Sequence, residues 1–314
     1  MKLVTVFLLG LALSAYGEEP KAVFIIVDGI PADTLDIAAT PNLDEIAGES
    51  GYTNAYVGGV IGQASQSPTV SAVGYNSLLT GTWSNKHNVW TNDILKPSYE
   101  YWDIFRIAKH HDPSLQTALF STWTDNRTKL LGDGLAEAGG HKLDHFADGF
   151  ELDTERFPHD DQSLYIRDID EVVSDEAAAY ILGQGPDLSW VYLQYTDDVA
   201  HFHGNGPELT AAVERMDQQV GKIWTSIKSR QGAYDEDWLL IVTTDHGRDA
   251  SGKEHGGQSE RERTTWIVTN SSRLNDRFYD DPAIVDILPS IARHLRIDIP
   301  GHIREQLDGE SFID

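Results

Sequence analysis

Five short, almost uninterrupted apolar runs recur along this chain: Ala22–Val27, Thr117–Trp123, Leu188–Tyr195, Trp238–Thr244 and Thr265–Val268. A strand without polar alternation must be buried on both faces, which requires helices above and below its sheet. Helix-like stretches lie between the runs, at Pro41–Ala47, Tyr99–His110, Val172–Leu182 and Ile284–Leu295. Pro207–Lys228 is the strongest, with Pro at its start and Leu209, Val213, Met216, Val220, Ile223 and Ile227 on one stripe. The alternation predicts a layered α/β fold. No repeat or linker interrupts it, so residues 18–314 read as one domain. Residues 132–163, rich in Gly, Asp and His, read as a surface loop.

Composition narrows the chemistry. The 314 residues include 24 Lys+Arg against 50 Asp+Glu, a formal charge of −26. Recurrent Trp, Ile and Val runs exclude a disordered acidic tail. The acidity argues against a nucleic-acid polymer as partner, because phosphate backbones need a basic surface. With no cysteine, disulfides, thiol nucleophiles, Cys-ligated zinc and iron–sulfur clusters are all removed. Lys2, the apolar run Leu3–Leu13 and the small residues of Ala15-Tyr16-Gly17 form a secretory signal peptide, cleaved after Gly17. That run is too short to span a membrane, and none approaches 18 apolar residues in the mature chain, so a secreted or periplasmic protein is expected.

Polar residues gather where the apolar runs end. Asp28 follows the first. Asp197 and Asp198, then His201 and His203, follow Leu188–Tyr195. Asp245 and His246 follow Trp238–Thr244, and His255 comes nine residues after His246. In open α/β sheets ligands collect at the carboxyl ends of strands, and carboxylate with imidazole is the donor set for zinc or manganese without thiolate. One Asp after a strand is ordinarily a turn or cap; the ordered set reads as a metal site. Pro68–Gly81 reads as a loop entering a helix that ends at Thr80-Gly81. Ser71 then stands at a helix N-terminus, in positive potential beside unpaired N–H groups. It is either a cap or a metal-activated nucleophile.

This order of motifs resembles the alkaline phosphatase superfamily, in particular its nucleotide pyrophosphatase/phosphodiesterase-like branch. The similarity runs from Val27-Asp28-Gly29, through Thr40-Pro41-Asn42-Leu43, Asp197-x-x-x-His201 with Gly206-Pro207 and Asp245-His246-Gly247, to His255-Gly256-Gly257. It implies a three-layer α/β sandwich with a mostly parallel central sheet and helices on both faces. The family nucleophile stands nine residues before a Thr-Gly, which gives Ser71. By resemblance, Asp197, His201 and His255 hold one zinc, while Asp28, Asp245, His246 and the Ser71 oxygen hold the other, manganese being the alternative metal. His87-Asn88-Val89-Trp90-Thr91-Asn92 matches the stretch whose Asn binds a non-bridging oxygen, making Asn92 the second catalytic residue.

The implied activity is hydrolysis of a small phosphate ester, as a type I phosphodiesterase or nucleotide pyrophosphatase, through a phosphoseryl intermediate. Some superfamily monoesterases add a Lys-x-Arg after the next strand. Here Ser121-Thr122-Trp123-Thr124-Asp125 puts Trp and Asp in those places, with Arg127 nearby. Sulfatases of the superfamily use a Cys/Ser-x-Pro-x-Arg loop, and Ser71-Ala72-Val73-Gly74-Tyr75 lacks both Pro and Arg. A phosphomonoesterase on the same metals and a non-catalytic exported metal-binding protein are the competing readings. Asp198 and His203 are expected behind the ligands or in a loop, and Tyr56, Tyr75, Trp90 and Trp123 either stack on a leaving group or fill the core.

Overall fold

The computed structural model describes residues 18–314, and the leader expected at 1–17 lies outside the described residues. Seven strands, β1 (Glu19–Val27), β2 (Tyr52–Tyr56), β3 (Thr117–Ser121), β4 (His145–Ala147), β5 (Leu188–Leu193), β6 (Glu236–Thr243) and β7 (Thr264–Thr269), form one sheet in the order β2-β7-β6-β1-β5-β3-β4. β1 lies parallel to both β5 and β6, and β3 parallel to β5 and β4. β7 runs antiparallel to β6 and to β2.

Alternation along β1 divides the core. Ala22, Phe24 and Ile26 face one cluster, built with the helices Ser71–Thr80, Ile104–His111 and Ile287–His294. Val23, Ile25 and Val27 face the other, built with the helices Pro41–Ala47, Leu164–Gln184 and Pro207–Ala233. Both faces of the central strands are therefore apolar, which is why these segments show no polar alternation. Phe24 and Trp190 are register partners on β1 and β5, and their rings stack at 5.9 Å. The result is the expected three-layer α/β sandwich.

Several boundaries differ from the sequence reading. The Tyr99–His110 helix begins only at Ile104, where the Asp103 side chain accepts from the Arg106 N–H and caps it. The Val172–Leu182 helix spans Leu164–Gln184, and Pro207–Lys228 continues to Ala233. Ile284–Leu295 divides into a 3-10 turn, Ile284–Asp286, and the helix Ile287–His294. Residues 132–163 are more than a loop, because His145–Ala147 extends the sheet as β4 beside β3. Among the described residues no helix is long and apolar enough to cross a membrane.

Candidate functional site

β6, β1 and β5 are neighbours and parallel, and their register pairs Ile26 with Thr243 and Val27 with Leu193. Their carboxyl ends are therefore level. Asp28 directly follows β1, Asp245 lies two residues beyond β6, and β5 leads into the helix Tyr195–His203. That helix places Asp197 and His201 one turn apart, with Asp197 Oδ2 3.3 Å from His201 Nε2. Asp198 turns elsewhere and accepts from Gln194 Nε2 at 3.0 Å, and His203 is exposed.

The buried half of the site is a cluster of acceptors facing one another. His246 is fully buried, with Nδ1 2.9 Å from the Gly247 carbonyl. A carbonyl only accepts, so Nδ1 carries the proton and Nε2 presents a lone pair. That lone pair lies 3.3 Å from Asp245 Oδ2, 3.4 Å from Asp28 Oδ1 and 3.4 Å from Ser71 Oγ. Both carboxylate oxygens are buried without a hydrogen-bond partner. Their sister oxygens are taken: Asp245 Oδ1 accepts from the Gly29 N–H at 3.0 Å, and Asp28 Oδ2 accepts from the hydroxyls of Tyr75 and Tyr192. Buried oxygens left bare cost free energy, and a cation between them and Nε2 would satisfy all three. The residues fit a divalent metal.

Titration behaviour has the same cause. Burial, then the charges of Asp245 and Asp197, raises Asp28 well above the usual carboxylate range. Burial brings Asp245 to about 7. Burial, reinforced by His255, pushes His246 well down, so its lone pair stays free. For Asp197 burial works upward, but the His201 hydrogen bond and the Arg248 charge outweigh it and hold the group low.

The second set is more open. His255 Nδ1 lies 3.0 Å from the Thr69 carbonyl, which turns its Nε2 toward His201 Nε2 at 3.2 Å and Asp197 Oδ1 at 3.8 Å. Asp197, His201 and His255 can converge on one ion, and Asp197 can also group with Asp28 and His246. The His246 and His255 rings stack at 3.9 Å, so the two sets adjoin.

Ser71 opens the helix Ser71–Thr80, whose N-cap is Val70 and has no side-chain cap; Ser71 Oγ faces His246 instead of capping. Gly74 lets this helix approach Asp245, since a Cβ there would sit 2.6 Å from the Asp245 carbonyl. Asn92 Oδ1 accepts from the Ala72 N–H at 2.9 Å, which directs its NH2 group away from the helix as a donor.

All eight sequence-singled residues, Asp28, Ser71, Asn92, Asp197, His201, Asp245, His246 and His255, thus come together. Other expectations change. Tyr75 is fully buried and bonds Asp28, so it offers no stacking face to a substrate, and Tyr56 packs on Trp83. Arg127 is committed to Asp148, through Nε at 2.7 Å and Nη2 at 3.1 Å, with its guanidinium over Phe146. Tyr192, Thr69 and Arg248 were missed. A tyrosine inside a strand buried throughout, and an arginine directly after Asp-His-Gly, were the available signals.

Comparison with known proteins bears on the family and the fold. The family described as type I phosphodiesterase / nucleotide pyrophosphatase matches residues 22–290. A curated relative, GPI ethanolamine phosphate transferase 3 of Eremothecium gossypii, is 34% identical over 114 residues, 31% of this chain but only 11% of that protein. Among solved structures, Ps i-CgsB in complex with k-i-k-neocarrahexaose matches with a TM-score of 0.65 and 15% identity, over 93% of this chain and 75% of that one. Phosphonate monoester hydrolase of Agrobacterium radiobacter matches with a TM-score of 0.62 and 17% identity, over 93% and 76%. At such identities the structures speak for the fold alone. With most of its length matched by the family, the chain belongs to the type I phosphodiesterase / nucleotide pyrophosphatase family, within the alkaline phosphatase superfamily.

Proposed function

We propose that this protein is an exported, two-metal phosphodiesterase with Ser71 as nucleophile. The observation that carries the reading is the convergence of the unpartnered oxygens Asp28 Oδ1 and Asp245 Oδ2 on His246 Nε2, with Ser71 Oγ 3.4 Å from the same nitrogen. Asp28, Asp245 and His246 would hold one divalent ion with the Ser71 oxygen, and Asp197, His201 and His255 the other, zinc being the first candidate and manganese the second. When bound, such a pair supplies Lewis acidity to both the attacking and the leaving oxygen. Ser71 Oγ attacks phosphorus in line, its bond to phosphorus forming as the leaving alcohol departs on the opposite side. The Asn92 NH2 group donates to a non-bridging oxygen, in the positive potential at the N-terminus of the Ser71–Thr80 helix. Water then cleaves the phosphoseryl ester and regenerates Ser71.

Diester preference follows from missing cations. Trp123 and Asp125 stand where two cations serve a dianionic monoester in some relatives, and Arg127 is neutralised by Asp148. Similarity to an ethanolamine phosphate transferase supports an esterified phosphate as substrate. The test compares bis-p-nitrophenyl phosphate with p-nitrophenyl phosphate, using residues 18–314 loaded with zinc, an EDTA control and Ser71→Ala. Faster diester turnover, lost with EDTA and in the variant, is expected. Faster monoester turnover would move the enzyme to the phosphatase branch, and full activity in Ser71→Ala would remove the nucleophile.

A further inference from the structure

Arg248 follows the Asp245-His246-Gly247 block and is fully buried, a rare setting for a guanidinium. Each partner of its side chain lies on a segment that carries an expected ligand. Nε donates to the Gly29 carbonyl, beside Asp28, at 2.9 Å. Nη1 donates to the Lys253 carbonyl, two residues before His255, at 2.9 Å. Nη2 donates to the Asp197 carbonyl at 3.0 Å and also to Asp197 Oδ1. Gly29 provides the room: its φ is +64°, and a Cβ there would lie 2.7 Å from Arg248 Nη2 and 2.6 Å from Asp197 Oδ1. Only a planar fork with fixed N–H directions can reach three separate loops at once, and a lysine ammonium would have to choose among them.

We infer that Arg248 is a positioning residue for metal uptake. It joins the Gly29 turn after β1 and the helix after β5 to the loop that follows β6 and carries His255, and by occupying Asp197 Oδ1 it leaves Oδ2 turned to His201. Both sets of ligands are then ordered before any cation arrives, and the ordering cost falls on folding rather than on binding. The inference rests on the two-metal reading above. Partners behind metal ligands typically contribute about tenfold to a hundredfold in metal affinity.

The experiment is zinc competition against a chromophoric chelator for wild type, R248M and R248K, with hydrogen exchange of the metal-free proteins. Both variants should bind zinc about tenfold to a hundredfold more weakly. In the metal-free variants, amides on the loops around Gly29, Asp197 and Lys253 should exchange faster than in wild type and slow again with saturating zinc. R248K keeps the charge and loses the fork, so wild-type affinity in R248K would reduce the role to charge and overturn the inference; this variant also carries the test if R248M does not fold. Unchanged or tighter zinc binding in R248M, with melting temperatures lowered equally in both forms, would make Arg248 a plain structural bond. Wild type that takes up no zinc would instead overturn the two-metal reading, and the Arg248 role with it.

Discussion

Asn92 shows how one hydrogen bond orients a side chain. Its Oδ1 is engaged by the N–H of Ala72, the residue next to the proposed nucleophile Ser71, so its NH2 group is the part left for a substrate oxygen. Asn92→Ala should lower kcat about 10²- to 10³-fold, the usual loss for one transition-state donor. Metal content should not change, since Asn92 is no ligand. Steady-state kinetics with metal analysis checks this, and a loss confined to KM would assign Asn92 to ground-state binding. Among the eight candidate residues, Asp28, Asp197, His201, Asp245, His246 and His255 were legible because they follow apolar runs, whereas the choice of Ser71 and Asn92 leaned on the family resemblance. Tyr75 and Tyr192 were not, because nothing in one dimension places their hydroxyls against Asp28 Oδ2.

At the scale of elements, the helix Tyr195–His203 depends on a residue of another helix. Asp170, on Leu164–Gln184, accepts from the Gln194 N–H at 3.1 Å, the Tyr195 N–H at 2.8 Å and the Thr122 hydroxyl at 2.5 Å. Burial raises Asp170 to about 7 from an ordinary value of 3.8. Between those values the native protein keeps a proton that the unfolded chain has released, so stability from this group falls as pH rises. Asp170→Asn should remove that slope, and the variant should gain on wild type from pH 5 to pH 7.5 in urea unfolding with chelator present. An identical difference at both pH values would mean that Asp170 stays ionised under its three donors. Of the strands, β2 and β4 escaped the sequence reading because they are short, with partly or fully exposed positions and no apolar run. The antiparallel direction of β7 was equally hidden, since a buried apolar strand reads the same either way.

For the molecule as a whole, the effect of a cation at this centre should be measurable. Asp28 Oδ1 and Asp245 Oδ2 are bare and buried, so a cation bound there stabilises the native state by linkage. A site filled at a thousandfold excess over Kd contributes about 4 kcal/mol, a shift on the order of ten degrees in melting temperature for a domain near this size. Scanning calorimetry with zinc and with EDTA should show it, Ser71→Ala retaining most of the shift and Asp245→Asn losing much of it. Equal melting temperatures under both conditions would count against any cation at this centre.

The sequence by itself determined the layered α/β architecture and the group of polar residues at its strand ends, because burial on both faces imposes an apolar run and the chain can become polar only where the run stops. Tertiary structure alone decided which oxygens stay bare, which tyrosines hold Asp28, that Arg127 belongs to Asp148 and that Arg248 ties the ligand loops together. Those contacts join residues as far as 219 positions apart, and neither spacing nor periodicity records which distant atoms the sheet register brings level.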